Sequence, residues 1–566
     1  MNKEKRKMKK RNIILIALLF VNVILNAQSH NEEVTIEGSY TPHIKKSERI
    51  LFNPESSKRE FNIPTYNVET RDFIYNYNID LEPISPLLYL DKDLHEVTNN
   101  FIKAGIGTRL SPDFLFRHYS NLTKNMSLGI GVAHNSTWLE MKDYPFLRYM
   151  NNAFSVSTNN RFSGFQLHSY INYDYDMYYL NPDPDIMTDD GYYSKRNIHA
   201  LNVKLLANNN ETPYKSLYNE YLLDYSYSGI QDGMQENLAR FKAYIEHSNS
   251  WFRNSDGVQT LAVDINADID NINQTLFLIA ANPYLAFDGE YYNLHLGFRV
   301  DAKTNSTNLG GIYPDIKGSL YLFNRNMEFY AGLGGKTKIN TLKEILEDNP
   351  FIISDLKEFA EFDYEKTKLD FNGGLKFKAF NKLGGHIGLS YKMMNNHIFY
   401  VKSEERLNTF DIILNDCNIF NFNIDLHYKL KDNLKLVANF SYHKYDMLHS
   451  QSNDSLIDAL EEIVNQKAWY KPEFEFTLKG AYKLNEQWNF SAATYFEGKR
   501  YDLSNYNIIK ELKPIIDIQL GCDYKFRDNL SFYGEVKNLI HNKYQMYYGY
   551  QSYGFQMFVG FKYRFL

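Results

Sequence analysis

The sequence predicts an all-β fold: a transmembrane antiparallel β-barrel of about 22 strands, preceded by a short N-terminal extension. Three observations carry that expectation. From Tyr553 to Leu566 the residues Tyr553, Phe555, Met557, Val559, Phe561, Tyr563 and Phe565 take every odd position, while Gly554, Gln556, Gly560, Lys562 and Arg564 take most even ones. Only a strand, whose side chains point alternately to opposite faces, converts that spacing into one apolar and one polar face. Aromatic residues make up 16% of the chain, with 46 Tyr and 39 Phe, which suits two aromatic girdles around a barrel better than a soluble core. After Gln28 no stretch approaches the roughly 20 apolar residues a spanning helix needs.

In chain order, Lys3, Lys5, Arg6, Lys7, Lys9, Lys10 and Arg11 precede an apolar run from Ile13 to Leu25, and Asn26-Ala27-Gln28 follows. A basic stretch, a short apolar stretch and a small residue make a secretory signal, so residues 1–27 are expected to be a signal peptide cleaved after Ala27. Residues 28–98 mix apolar runs such as Leu51-Phe52 and Pro86-Leu87-Leu88-Tyr89-Leu90 with charges and with Pro42, Pro54, Pro64, Pro83 and Pro86. They lack the alternation of a stable sheet and read as extended, turn-rich chain that must be covered by something larger, the barrel lumen being nearest. They are expected to form a partial plug on the periplasmic side.

Residues 99–566 are expected to be the barrel. Phe474, Phe476, Leu478, Gly480, Tyr482 and Leu484 are placed on the lipid side, with Glu473, Glu475, Thr477, Lys479 and Lys483 on the lumen side. The same alternation recurs back to residue 99, in strands that include 384–402, 417–430, 488–501, 513–526, 530–540 and 552–566. Working back from the C terminus, connections alternate between short (527–529, 485–487, 431–433) and long (540–551, 501–513, 447–471, 402–416, 339–365). Short periplasmic turns opposite long extracellular loops are the rule in such barrels, so the phase favours an even strand count with both barrel ends in the periplasm. Two loops carry helical spacing: Thr341-Leu342-Lys343-Glu344 reads as a capping box, and Ser455 to Val464 as a short amphipathic helix.

Charge excludes one partner class. Without residues 1–27 the counts are 55 basic against 67 acidic, because seven of the 62 basic residues and one of the 68 acidic ones lie in the signal. Such a chain has no basic surface for nucleic acid, which is not expected as a partner. Cys417 and Cys522 lie far apart, and Cys522 falls on the apolar face of a strand, so it reads as a small hydrophobe.

No constellation points to catalysis. His118-Tyr119-Ser120 and His134-Asn135-Ser136 put a His and a Ser on one strand face, but no orienting acid stands near either, and they read as polar lumen or rim residues. Asp183, Asp185, Asp189 and Asp190 concentrate carboxylates in one loop, yet Pro182 and Pro184 break the spacing of a calcium loop, which leaves a solvated acidic loop. His443 and His449 lack a second pair of ligands. No phosphate loop, paired-Cys motif or nucleotide fingerprint occurs. The chain is expected not to be an enzyme and to carry no cofactor and no metal.

Val536-Lys537-Asn538-Leu539-Ile540-His541-Asn542-Lys543-Tyr544, then Gly549-Tyr550 and the closing Phe561-Lys562-Tyr563-Arg564-Phe565, resemble the C-terminal end of TonB-dependent receptors, 22-stranded barrels of the Gram-negative outer membrane. Ile312-Tyr313-Pro314-Asp315-Ile316 and Asn349-Pro350-Phe351-Ile352 are similar to segments of a receptor-like subgroup without a full plug domain. The resemblance implies residence in the outer membrane, amid its lipid and lipopolysaccharide. It also implies Phe561, Tyr563 and Phe565 as the closing-strand signal met by the barrel-assembly machinery. Glu33-Val34-Thr35-Ile36-Glu37 resembles the short extended segment that pairs with TonB, and an ordinary exposed strand or linker fits it equally. The function this implies is uptake or passage of a bulky ligand, with coupling supplied by a partner such as TonB or another outer-membrane protein. The alternative is a non-transporting outer-membrane scaffold within a secretion, assembly or nutrient-uptake complex, docked to other outer-membrane proteins.

Overall fold

A computed structural model describes residues 100–565, apart from 140–147, 181–194, 210–216, 232, 250–256, 273, 305–309, 355–363, 381, 404–408, 432, 449–466 and 505–507. The signal peptide expected over residues 1–27, the 28–98 segment with Glu33 to Glu37, the acidic loop from Asp183 to Asp190, His449 and the Ser455–Val464 stripe lie outside the described residues.

The strands run as β1 (Asn100–Gly107), β2 (Ser111–Thr123), β3 (Met126–Thr137), β4 (Tyr149–Arg161), β5 (Phe165–Tyr179), β6 (Lys195–Asn209), β7 (Leu217–Ile230), β8 (Gln235–Asn249) and β9 (Gly257–Asn271). Then follow β10 (Thr275–Gly289), β11 (Tyr292–Lys303), β12 (Gly311–Leu322), β13 (Met327–Ile339), helix α1 (Leu342–Asp348), β14 (Tyr364–Ala379), β15 (Leu383–Lys402), β16 (Phe410–Lys431) and β17 (Leu434–Met447). The last are β18 (Phe474–Lys483), β19 (Trp488–Glu497), β20 (Arg500–Ser504), β21 (Ile508–Leu512), β22 (Ile515–Arg527), β23 (Leu530–Lys537), β24 (Gln545–Tyr547), β25 (Tyr550–Gln551) and β26 (Gln556–Phe565). All except β20–β21 and β24–β25 join one 22-stranded sheet. It closes where β26 pairs antiparallel with β1, Phe561 opposite Ala104 and Phe565 opposite Asn100. Closure leaves no unpaired edge, the condition for a sheet to span hydrocarbon.

Directly paired residues share a face, so the register reads out both walls. One row runs Tyr563, Ile102, Phe116, Val132, Phe154, Tyr173 and Leu201 across successive strands. It is outward and apolar. The residues between, such as Lys103 and Lys562, face inward. In β18 the alternation holds as expected: Phe474, Leu478 and Tyr482 are exposed on the outer side, and Glu475 pairs inward with Ser441 and Glu497.

The closing seam has a local reason. The ring of Tyr533 lies across the inner side of Gly105 and Gly560, where a Cβ at Gly105 would stand 2.1 Å from Tyr533 Oη and one at Gly560 2.2 Å from Ala104 O. Lys103 and Lys562 both sit over that ring, 5.0 and 5.3 Å from its centroid, and Lys562 Nζ pairs with Asp523. Glycine at both places lets the aromatic clamp the last strand to the first.

Three boundaries depart from the sequence reading. β16 starts at Phe410, so the second half of the expected loop at 402–416 is strand; Ile412 and Phe410 are buried there, and their mixed pattern hides the period of two. The strand expected over 488–501 ends at Glu497, and the chain turns into the separate β20–β21 hairpin. The closing strand starts at Gln556 rather than 552, with Tyr553 held outside it by Arg109 Nη2, which donates to its carbonyl at 3.2 Å.

Candidate functional site

The inner wall is a field of paired charges. Lys204 and Arg240 reach Asp224 and Asp268, Lys376 reaches Glu328, and His295 and Lys317 converge on Asp315. His386 bridges Tyr330 and Asp425. Such pairs belong to a wetted lumen, because unpaired charges facing hydrocarbon would be costly. Of the residues expected to line it, Glu475 and Glu497 face each other across β18 and β19, and Lys483 pairs with Asn489. His443 Nδ1 donates to Asn421 Oδ1 at 2.7 Å, and its Nε2 lies 3.9 Å from Glu475 Oε1. Among the described residues no three His, Cys, Asp or Glu converge as metal ligands, and both cysteines are free.

The extracellular mouth is crossed by a loop core. Thr341 is the N-cap of α1, its Oγ1 accepting from Glu344 N at 3.3 Å as the capping-box spacing foretold. The helix buries Leu342, Ile345 and Leu346. Its N-terminus is held by a residue of a distant strand: Glu236 of β8 accepts from Leu342 N at 2.5 Å. After the helix, Arg196 of β6 donates Nη1 to Pro350 O at 2.8 Å and also to Ile352 O. The loop between β13 and β14 thus reaches across to β6 and β8.

There it meets loops from the far side of the ring. Phe351 stacks on Tyr550 with centroids 3.6 Å apart, and Tyr547 donates Oη to Asp348 O at 2.7 Å. Phe410 and Tyr470 flank Tyr547 at 5.2 and 5.1 Å. Trp469, Tyr470, Leu503, Leu512, Met546 and Tyr550 belong to the same buried cluster as the inward-facing Ile198 and Ile230 of β6 and β7. A fully buried Arg500 ties the core together: Nη1 donates to Met546 O and Nη2 to Gln545 O, each at 2.7 Å, while Nε lies 2.9 Å from Glu497 Oε1. Beside it Tyr470 donates Oη to Asp502 Oδ1 at 2.6 Å. Burial, more than any neighbouring charge, pushes the Asp502 carboxyl above the ordinary carboxylate range. The arrangement is a roof of four loops packed against each other and against the inner wall.

Sequence reasoning saw the pieces without the assembly. Asn349-Pro350-Phe351-Ile352 and Gly549-Tyr550, noted only as resemblances, supply the central ring contact of the roof. Asn538, within the Val536–Tyr544 segment, has a positive φ of 47° and brackets the turn, Nδ2 donating to Asn542 O and Oδ1 accepting from Asn542 N, both at 2.8 Å. Nothing in the local pattern marks Arg196 or Arg500, whose carbonyl partners lie far along the chain. The His-Ser pairs turn out to be on the outer face at its rims. His118 contacts Ser120 at 3.1 Å and Asn100, and His134 contacts Ser136 at 2.9 Å and Asn152 at 2.8 Å, with amides rather than carboxylates behind each imidazole. Phe561 and Tyr563 face outward, and Tyr563 stacks on Phe565 at 5.7 Å.

No protein-family model matches the chain, and no curated protein matches its sequence. Solved structures do. The ferric enterobactin receptor of Pseudomonas aeruginosa is similar over 82% of this chain and 80% of its own, at 12% identity and a TM-score of 0.57. The pyoverdine outer-membrane receptor of the same species aligns over 83% and 78% at 11% identity, TM-score 0.61. The ferric-catecholate import receptor of E. coli aligns over 82% of both chains at 9% identity, TM-score 0.60. At such identities the likeness speaks for the fold, and with the closed ring, the apolar outer wall and the charged inner one it leads to a single statement: the chain is an outer-membrane β-barrel with the fold of the TonB-dependent receptors.

Proposed function

We propose that this barrel passes a bulky ligand across the outer membrane, that a periplasmic partner supplies the coupling, and that the loop roof is the gate the ligand meets first. The observation that carries the reading is the pairing of a wide, charged inner wall with a mouth closed only by non-covalent loop contacts around Tyr547, Tyr550 and Phe351. A ring of this many strands leaves an aqueous channel unless something fills it, and a removable closure serves transport. The solved structures of like fold include receptors for ferric enterobactin and pyoverdine, which supports transport over catalysis for the same architecture here.

The roof also supports a second reading. It buries its aromatic residues against one another, as a permanent scaffold in a larger outer-membrane complex would. Pull-down of the full chain from detergent extracts separates the two. Recovery of TonB, lost when residues 33–37 are deleted, supports coupled transport. A stoichiometric outer-membrane complex that survives the deletion and contains no TonB supports the scaffold and overturns the first reading.

A further inference from the structure

Where the roof helix meets the wall, the inner face of β7–β9 carries a set of oxygen groups that neither transport nor scaffolding explains. Ser228 of β7 pairs with Glu236 of β8, and one step below Leu238 of β8 pairs with Asp270 of β9. Residues two apart on a strand share a face, so Ser228, Glu236 and Asp270 all point inward. Asp270 lies diagonally across from Glu236, a relation that sets Cα atoms about 7–8 Å apart. All three are shut away from solvent: Glu236 and Asp270 expose nothing and Ser228 1% of its surface. The surroundings are apolar, since Leu238, Leu276 opposite Asp270, and Leu342 at the start of the roof helix are buried too.

Glu236 is an acceptor on both oxygens, Oε1 taking Leu342 N at 2.5 Å and Oε2 taking Lys343 N at 3.4 Å, as an ionised carboxylate does. Asp270 is not so provided. Its oxygens have no hydrogen-bond partner besides the amide of the adjoining Asn271, and Ser228 Oγ has none. Asp270 is also the neighbouring charge that bears most strongly on Glu236. Among the described residues no ammonium or guanidinium pairs with either acid; the nearest row of the wall holds Arg240, and Arg240 Nε is paired with Asp268 at 3.4 Å. Buried carboxylates are paired or bind a cation, and two side by side do not both stay ionised unaided. A shared proton would need them in hydrogen-bond contact, and no such bond links them. A cation instead holds each oxygen at about 2.3–2.6 Å, so its ligands stand up to about 5 Å from one another.

We propose that Glu236, Asp270 and Ser228 bind a calcium ion that pins the roof helix to the barrel wall. Two carboxylates and a hydroxyl offer hard oxygen ligands, and backbone carbonyls or water complete a shell of six to eight. Among the described residues no third acid, His or Cys joins the two acids, which disfavours metals that seek nitrogen or sulfur. Magnesium demands a near-ideal octahedron, whereas calcium accepts an irregular shell such as strand and loop groups give. Because one Glu236 carboxylate holds both the ion and the amides of Leu342 and Lys343, helix and ion share an anchor. Withdrawing calcium leaves two like charges facing each other behind the helix and loosens the roof on its β7–β9 side. The site serves a transport gate and a scaffold alike.

Hydrogen exchange of residues 341–349 tests it, in the full chain delipidated in detergent, stripped with EGTA and titrated with calcium chloride. Extracellular calcium sites have dissociation constants of about 10⁻⁴–10⁻³ M, and at ten times that constant opening of the segment should be suppressed about tenfold. Asp270→Asn keeps the shape and removes one charge, so it should abolish the calcium response while leaving calcium-free protection at or above the wild-type level. A side chain that merely packed would show the opposite, lower protection with the response intact. Lys242→Ala in the lumen should respond as the wild type does, and heat-modifiable migration confirms that each variant has folded. Wild-type protection unmoved by calcium, a response kept by Asp270→Asn, an equal response to magnesium, or protection that rises with acid and not with calcium, as a shared proton would give, would each overturn the proposal.

Discussion

Replacing Arg500 by Met removes a fully buried charged side chain that touches three parts of the roof. Glu497, itself fully buried, loses its ion pair and keeps the hydroxyl of Tyr495, 2.6 Å away, and the carbonyls of Gln545 and Met546 lose their guanidinium donors. Breaking a buried ion pair by deleting one partner costs about 3–5 kcal/mol, because the remaining charge is left uncompensated. The carbonyls would add about 1–3 kcal/mol each if no water reached them, but deletion of a shared partner is not additive, so the first figure bounds the estimate. The penalty falls on loops, since β19 keeps its pairings with β18 and β22. Hydrogen exchange of the 544–551 segment should therefore lose about two to four orders of magnitude of protection while the barrel still migrates as a heat-modifiable species. Pairing Arg500→Met with Glu497→Gln removes the orphaned charge and should recover most of the loss. Wild-type protection in the single variant, or a double variant as damaged as the single one, would refute the idea that this pair holds the roof.

Other expectations concern the wall, the pH response and the amino-terminal segment. Arginine at the outward-facing Phe561 should cost about 2–4 kcal/mol if it lies near the bilayer midplane, whereas Lys562→Arg, which faces the lumen and keeps a cation beside Asp523, should be nearly silent; equal folding yields in lipid would show the register to be wrong. Asp502 is held above the ordinary carboxylate range by burial, so the folded roof takes up its proton more readily than the unfolded loop, and stability present at low pH is lost as pH rises through the raised value. Exchange in residues 500–504 should accelerate over that interval and Asp502→Asn should flatten the dependence; an unchanged profile in the variant would assign it to another group. Deleting residues 40–95, if they form the proposed partial plug, should raise single-channel conductance and sensitise cells to large antibiotics, most of all combined with Arg500→Met. Unchanged permeability in that combination, with the barrel inserted, would place the seal elsewhere.

The period-two alternation was enough for the walls. Each of the strands of the closed sheet was legible, because a residue that faces lipid and its neighbour that faces water obey opposite solvation rules, and the signal is strictly local. It failed where neither face meets a bulk solvent. Phe410 and Ile412 lie under the roof, buried on a strand whose alternation is lost, and were read as loop. Leu503 and Leu512 fold into a hairpin for the same reason. The helix cap at Thr341 was visible because capping needs only a neighbouring side chain, but its second anchor, Glu236, lies more than a hundred residues away.

The sequence by itself determined the barrel, its strand count and its two faces, all consequences of a two-residue repeat set against lipid and water. Only the tertiary structure decided that the mouth is roofed. Contacts such as Phe351 on Tyr550, or Arg500 on the Gln545 and Met546 carbonyls, join loops from different parts of the ring, and no local pattern encodes which loops the closed barrel brings together.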